Sequence, residues 1–397
     1  MATDGRIPFV AVAGPHREAG RQLGVTTREA IAAAVDFDGS LPAGRTRASQ
    51  LELAARYRDA TRAATPWLVD EIDGAADGAG VDPLALFAAS VEEIWTVRPS
   101  QAERPGAGPG AHWGTGPGAG CGTGPGPGRA AALPPARGPA NGRCSDLVIG
   151  PPWTADGHLW VAHTNDLSPD VEPSLVAVEW RVPGEPVVFS VGSGPWISVG
   201  WNDAGLSLTG NELSPNDERV GVPRLLMVRQ QLTARSLDEA VAMTLRPDRA
   251  SSYNTVLAHR DGRAVNVEGS ATDAVQRALE PGGTLAHTNH YVEPAMLRFE
   301  GDPEYAGRSG VRYRRACALL AAVVAGEVAA VTPGLLRAWL SDHDGAPDSI
   351  CRHPVPEPGG SRTKTVFWCL ADVTAGEVRY GRGNPCAGWP EAVHRLD

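Results

Sequence analysis

The chain has 397 residues, 42% of them hydrophobic, which is ample for one large domain or two ordinary ones and excludes disorder over the whole length. A formal net charge of -10, with a pI near 5.5 and no clusters of Lys and Arg, excludes a reader of nucleic-acid phosphate backbones. The six cysteines (Cys121, Cys144, Cys317, Cys351, Cys369 and Cys386) are scattered without a Cys-x-x-Cys pair, so a reducing compartment is expected rather than a disulfide framework.

The opening Met1-Ala-Thr-Asp-Gly-Arg-Ile-Pro lacks a basic region followed by an apolar core. No apolar run approaches the roughly 18–20 residues that span a bilayer, so a cytoplasmic protein without membrane contact is expected. Gly14 to Val35 reads as helix-rich, with Pro15 near a start. Further helices are predicted from Ala48 to Ala63 and from Pro66 to Ala76. Asp82-Pro83 reads as an N-cap followed by a first-turn proline, opening a helix through Leu84, Phe87, Val91 and Ile94. The first hundred residues are thus predicted to be mostly α. From Arg104 to Gly142 the sequence is Gly-Pro-Gly-Ala low complexity, with too few side chains to offset the entropy of ordering. It should be an exposed, mobile linker open to proteases.

After Cys144 short apolar runs alternate with turn signals. Strands are predicted at Leu159 to Ala162, Ser174 to Val182, Val187 to Val191 and Leu206 to Thr209, with Asp156-Gly157, Asn202 to Gly205 and Asp261-Gly262 at hairpin tips. Helices follow at Pro223 to Leu232 and, entered through Ser236, at Leu237 to Leu245. Strands return at Asn254 to His259, Ala264 to Glu268 and Thr284 to His287. Helices at Ser309 to Val324 and Pro333 to Leu340 precede a hairpin of Thr363 to Ala371 with Glu377 to Tyr380. Strand runs alternating with helix pairs, rather than single βα repeats, point to antiparallel sheets covered by helices.

Ala140-Asn141-Gly142-Arg143-Cys144-Ser145-Asp146 stands where the linker ends and the apolar segments begin. A lone cysteine is most often an inert buried residue. At a chain start produced by cutting Arg143–Cys144, however, it would carry nucleophile and base on one residue: the thiolate attacks, and an α-amino group of pKa about 7.7–8.0 takes the thiol proton. Downstream come Asn165-Asp166, then Trp201 to Gly205 leading through Ser207 and Thr209 to Asn211, then Glu268-Gly-Ser270 and His287-Thr288-Asn289-His290. The chain continues with Ser309-x-x-Arg312-x-x-Arg315, Ser341-Asp342-His343-Asp344-Gly345, Ser349-Ile350-Cys351-Arg352-His353 and Gly383-Asn384-Pro385-Cys386.

In this order the motifs resemble the acyl-coenzyme A:6-aminopenicillanic acid acyltransferase family, the autoproteolytic cysteine branch of the N-terminal-nucleophile hydrolases. Gly14-x-His16-x-Glu18-x-Gly20-x-x-x-Gly24 and Glu71 to Gly78 resemble the family's opening, so the likeness spans nearly the whole chain except the Gly/Pro run. The resemblance implies an α+β protein with a four-layer αββα fold and antiparallel sheets. Its parts would be a helix-rich α-chain at 1–103, a linker at 104–143 ending at the cleavage site, and a β-chain at 144–397.

It further implies that Cys144 attacks the carbonyl of Arg143, that water frees the new α-amine, and that the same thiol then takes acyl groups from substrates. Asn211 matches the family's oxyanion donor and Asp166 its carboxylate, although here the asparagine is adjacent, at Asn165. Arg312 is the arginine expected in the catalytic set. Asn165, Asn289 and Arg315 are expected to bind substrate, and His287 to His290 to form pocket wall rather than a proton shuttle. The implied partners are a small amide or acyl-thioester substrate and the chain's own two fragments as a heterodimer, with no cofactor. Arginine before the cysteine, where glycine is frequent, leaves a second reading open, that of an inactive scaffold or ligand-binding protein on the same fold. For metal, Cys351, His353 and Cys369, with His343 or His163, match no finger or ribbon spacing, so none is expected. Gly192-Ser193-Gly194 is no serine elbow, because the Gly-x-Ser-x-Gly pattern is absent and Pro195 follows.

Overall fold

The computed structural model describes residues 5–96, 143–355 and 363–396. The Gly/Pro run expected to be a mobile linker, with Cys121 in it, lies outside the described residues. The first part comprises β1 (Phe9–Ala13), α1 (His16–Thr26), α2 (Arg28–Val35), α3 (Arg47–Ala64), α4 (Pro66–Ala79), α5 (Pro83–Ala89) and α6 (Glu93–Thr96). Then follow β2 (Arg143–Ile149), β3 (Trp160–Leu167), β4 (Leu175–Arg181), β5 (Val188–Ser193), β6 (Trp196–Asn202), β7 (Leu206–Asn211), α7 (Arg224–Gln231) and α8 (Leu237–Thr244). The chain ends with β8 (Asn254–His259), β9 (Ala264–Gly269), β10 (Ala274–Ala278), β11 (Thr284–His287), α9 (Pro303–Val324), α10 (Pro333–Leu340), β12 (Lys364–Asp372), β13 (Glu377–Arg382) and β14 (Glu391–Arg395).

The central strands β2, β3 and β12 are buried on both faces, as expected where two packed sheets are each covered by helices. One runs β1-β4-β5-β6-β7-β8-β9-β10, the other β11-β2-β3-β12-β13-β14. Val148, Val161, Val366 and Cys369 of the second sheet meet Ala177, Val191, Val199 and Val256 of the first in one apolar layer. On the outer face of the first sheet, Leu23, Val228, Leu232 and Leu237 cover Val176, Val188 and Leu208, and the remaining N-terminal helices pack over these through Leu226 and Met227. On the outer face of the second, Ala316, Leu320, Leu336 and Leu340 cover Leu147, Ile149, Trp160 and Leu370. The result is an α+β fold of four layers, αββα. Among the described residues no helix is long and apolar enough to cross a membrane.

Several elements depart from the sequence-based expectation. β1 pairs in parallel with β4, so the larger sheet is not wholly antiparallel. Its five residues become a strand through that partner rather than through their own pattern. The helix expected to reach Ile94 stops at Ala89. Ser90 Oγ accepts from Trp196 Nε1 at 2.8 Å, and the following turn carries Glu93 into the interior, where Oε1 accepts from Arg224 N at 2.9 Å and Ser251 Oγ at 2.6 Å. The edge strands β10 and β14 carry polar residues such as Gln276, Arg277, Glu391 and Arg395, which obscure a period of two.

The glycines of the opening motif have a packing role. A Cβ on Gly20 or Gly24 of α1 would run into the Glu71 or Ala75 carbonyl oxygen of α4, and one on Gly74 or Gly78 into that of Arg17 or Arg21. The two helices therefore touch backbone to backbone. That approach brings His16 against Glu71 at 3.0 Å and Glu185 at 3.1 Å. Arg229 of α7 bonds the same two carboxylates, at 3.2 and 3.0 Å, tying the helical layers to the loop before β5.

Candidate active site

Cys144 is the second residue of β2 and lies opposite Asn165 of β3, as Arg143 lies opposite Asp166 and Asp146 opposite His163. Side chains alternate along a strand. Cys144, Asp146, His163 and Asn165 therefore share the inter-sheet face with Val148 and Val161, while Arg143, Ser145 and Asp166 face α9. The register is strongly determined. His163 Nδ1 meets Asp146 Oδ1 at 2.9 Å with both side chains fully buried, and a one-residue slip would turn that carboxylate to the outer face, against Ala316 and Leu320. Breaking a buried pair in this way costs about 3–5 kcal/mol, so the Asp146–His163 contact helps to keep Cys144 on the inner face.

The Cys144 backbone N–H donates to Asn289 Oδ1 at 2.7 Å, an oxygen that also accepts from Arg312 Nη2 at 2.7 Å. Asn289 Nδ2 donates to the Glu212 carbonyl at 3.0 Å, and Asn289 N donates to Ser309 Oγ at 2.6 Å. One carboxamide thus spans the nucleophile candidate, the end of β7 and α9. Arg224 secures the same end of β7, donating from Nη1 to the Leu213 carbonyl at 2.8 Å and from Nη2 to Glu212 Oε1 at 3.0 Å.

Asn211, the last residue of β7, is fully buried. Its Oδ1 accepts from Asn254 Nδ2 at 2.9 Å and faces His287 Nδ1 at 3.0 Å. His287 Nε2 lies 2.8 Å from Glu268, whose Oε2 accepts from the Glu293 N–H at 3.0 Å. With the oxygen claimed twice, Asn211 Nδ2 is left as a buried donor with no hydrogen-bond partner among the described residues. Burial raises the Cys144 thiol well above its ordinary range, helped by the charges of Asp166, Asp146 and Glu212 and opposed by Arg312. In the uncut chain the thiol therefore needs a base to react.

On the α9 side Arg143 forms an ion pair with Asp348 at 3.0 Å, and its guanidinium carbon lies 5.4 Å from the Tyr305 ring centre. Burial, with repulsion from Arg352 and Arg312, brings Arg143 down to about 10, so it stays charged at neutral pH. Asp166 Oδ1 accepts from Thr365 Oγ1 at 2.7 Å while Oδ2 has no hydrogen-bond partner among the described residues. Burial pushes this carboxyl toward its protonated form, against the pull of Arg312.

Of the residues singled out from sequence, Arg143, Cys144, Asn165, Asp166, Asn211, Asn289 and Arg312 come together at the ends of β2, β3 and β7. Arg315, one helical turn beyond Arg312, instead bonds Asp342 from Nη2 at 2.6 Å and is a third exposed. His290 is pulled down to about 3 by burial and by His287, Arg312 and Arg314, so it stays neutral, consistent with a wall residue rather than a proton shuttle. The considered metal ligands separate: Cys369 and His163 face each other across β12 and β3, whereas Cys351, His353 and His343 meet at the rim with Cys386. From sequence, Asp146, Glu268 and Arg352 stood in the motifs without a role, His163 was weighed only as a metal ligand, and Asp348 was not singled out. The available signal was the period of two, which puts Cys144 and Asp146 on one face of the same strand.

The family model described as acyl-coenzyme A:6-aminopenicillanic acid acyl-transferase matches residues 153–385, a span holding Asn165, Asp166, Asn211, Asn289, Arg312 and Arg315 and beginning just after β2. No curated protein matches the chain. Among solved structures, a mutant and a variant of the conjugated bile acid hydrolase from Clostridium perfringens each show 12% identity and a TM-score of 0.38, covering 64% of this chain and 92% of that chain.

Proposed function

This chain belongs to the acyl-coenzyme A:6-aminopenicillanic acid acyltransferase family, and we propose that it is a self-cleaving cysteine amidohydrolase or acyltransferase with Cys144 as its nucleophile. In the first step the Cys144 sulfur bonds the Arg143 carbonyl carbon, the peptide C–N bond breaks, and the thiol proton ends on the new α-amine. Water then hydrolyses the thioester, leaving a carboxylate on Arg143 and a free thiol beside its own amine. In turnover the amine takes the thiol proton, the thiolate attacks an amide or thioester carbonyl, and water or an amine resolves the acyl-enzyme.

The observation that carries this reading is the grip on Cys144: its backbone nitrogen is fixed by Asn289, itself held by Arg312, on the same inter-sheet face as an unpartnered Asn211 amide. Fixing that nitrogen positions first the scissile bond and then the amine that serves as base. Asn211 Nδ2 is the oxyanion donor, preorganised because Asn254 and His287 hold the oxygen side of the carboxamide. Asp166, turned toward its protonated form opposite Arg143, hands its proton to the leaving nitrogen and is replenished by the thiol proton, so that the net transfer is from thiol to amine, and Asn165 faces the acyl group. The buried cluster of Arg143, Arg312 and Arg352 favours cutting, since hydrolysis lets Arg143 leave its like-charged neighbours.

After cleavage the fragments remain a heterodimer, because β1 belongs to the same sheet as β4 and Glu93 bonds both Arg224 and Ser251. Intact mass under denaturing conditions tests the proposal. Two fragments meeting at Arg143–Cys144 are expected, with one uncut chain for Cys144→Ala. A wild type that stays whole on long incubation would exclude the N-terminal-nucleophile mechanism and leave the scaffold reading.

A further inference from the structure

Four side chains that the acyl-transfer site does not use meet at one point. His343 follows α10, Cys351 and His353 lie farther along the same loop, and Cys386 sits in the turn after β13. Their ligand atoms all lie within 4.8 Å of one another. His343 Nε2 is 3.1 Å from His353 Nε2, and Cys351 Sγ is 3.6 Å from Cys386 Sγ. His353 Nε2 stands 3.7 Å from Cys351 Sγ and 3.4 Å from Cys386 Sγ. The sulfurs are too far apart for a disulfide, whose S–S bond is about 2.05 Å.

These four spacings match four of the six edges of a tetrahedron around one ion, and the other two, from His343 to the sulfurs, lie within 4.8 Å. Zinc bonds thiolate at about 2.3 Å and imidazole at about 2.0–2.1 Å, and a regular tetrahedron then has edges of about 3.8 Å between sulfurs, about 3.3 Å between nitrogens and about 3.6 Å between sulfur and nitrogen. Each measured edge falls within a few tenths of an ångström of its ideal. A donor set of this kind suits zinc rather than magnesium or calcium, which take oxygen. The surroundings fit as well. Asn384 Nδ2 lies 3.4 Å from Cys351 Sγ while also donating to the Arg352 carbonyl at 2.7 Å, an outer hydrogen bond of the kind that orients a ligating thiolate.

We infer that His343, Cys351, His353 and Cys386 form a structural zinc site of the closed Cys2His2 type. Binding is one Zn2+ exchanged for two thiol protons, giving two thiolates and two neutral imidazoles around the ion with no net charge left over. All four positions are filled by protein, so the ion holds the fold and offers no open coordination position for water or substrate. It joins the loop after α10 to the turn after β13. On that loop Cys351 and His353 bracket Arg352, whose buried Nη1 donates to Asp348 Oδ1 at 2.9 Å, the oxygen that also pairs with Arg143. The ion thus anchors the segment that carries the counter-ion of the scissile residue.

The test is metal analysis of the full chain purified under reducing conditions, with cobalt titration of the demetallated protein. About one zinc per chain is expected, and Co2+ should give the intense visible bands of a tetrahedral thiolate site together with thiolate-to-metal charge transfer. His343→Ala, in an exposed loop, should weaken cobalt binding at least tenfold while the chain stays folded, and Cys386→Ser should abolish the charge-transfer change due to that sulfur. Cys144→Ala should still bind one zinc, so failure of this inference and failure of the acyl-transfer reading are separable. A reduced protein that takes up no stoichiometric zinc, or a cobalt spectrum that is octahedral or unaltered by both substitutions, would overturn the site.

Discussion

Replacing Asn211 by alanine should separate catalysis from stability. In the resting protein Asn211 Oδ1 is bonded to Asn254 Nδ2 at 2.9 Å and His287 Nδ1 at 3.0 Å, and its Nδ2 is buried without a hydrogen-bond partner. Truncation orphans the Asn254 amide, at about 1–3 kcal/mol, and removes the orphaned Nδ2 donor, which relieves a cost of about the same size. His287 loses little, since Nδ1 also faces the Thr288 carbonyl at 2.6 Å. The two terms nearly cancel, so the urea midpoint should hardly move. In the transition state Nδ2 alone meets the developing oxyanion, worth about 3–4 kcal/mol, so acyl transfer should slow roughly 10²–10³-fold. Far-UV circular dichroism in urea reads the first quantity. The rate of nitrophenolate release from p-nitrophenyl esters reads the second, with self-cleavage followed on the same samples by intact mass. An Asn211→Ala protein that retains its rate within a few-fold, or that loses its rate only in step with its stability, would refute the assignment.

Two further predictions concern the helical layers. Gly74→Ala places a methyl group against the Arg17 carbonyl of α1, forcing the helices apart. A loss of about 1–3 kcal/mol or more is expected in urea unfolding, and an unchanged midpoint would show that the contact is not tight. His16 is raised to about 9: burial opposes the shift, but hydrogen bonds to Glu185 and Glu71 exceed it. Between about 6.5 and about 9 the folded state therefore holds more protons at this site than the unfolded state. The stabilisation is complete below the unfolded pKa and is lost as pH rises through about 9. Urea midpoints of the wild type should fall across that window and those of His16→Gln should be flatter; equal slopes would remove His16 as the cause.

How far the fold was legible in the sequence depended on what each element relies on. Asp82 and Ser236 placed helix starts that the structure retains, because a cap is a local hydrogen bond written in neighbouring residues. β8 and β11 were readable to the residue, since each is a short apolar run, Val256 to Ala258 and Leu285-Ala286, closed on both sides by polar residues. β1 was not, as nothing in Phe9-Val-Ala-Val-Ala selects a parallel partner far along the chain. β6 was hidden by Gly200, whose Cα lies where Leu232 leaves no room for a side chain. The opening glycines were visible as a motif, yet their purpose emerges only when α1 and α4 are face to face.

The candidate site shows the same divide more sharply. Cys144 was singled out from its place at the end of the Gly/Pro run, and Asp166, Asn211, Asn289 and Arg312 because a family resemblance carries their order along the chain, whereas what brings them together is side-chain geometry. The Asn289 carboxamide joins three elements by choosing which end faces Cys144, and no spacing rule encodes that choice. Arg312 and Arg315 illustrate the limit. Helical spacing puts them on the same side of α9, but Asp342 draws Arg315 outward while Asn289 holds Arg312 inside. The proposed zinc ligands escape recognition for the same reason. They come from a loop and from a turn on the far side of β12 and β13, so their separation matches no metal-binding spacing. Only the hairpin register, which sets Phe367 opposite Arg382, returns the chain to the loop and carries Cys386 to Cys351. A set of side chains assembled by strand register cannot be recognised from intervals along the chain, and the proposed acyl-transfer and zinc sites are both assembled that way.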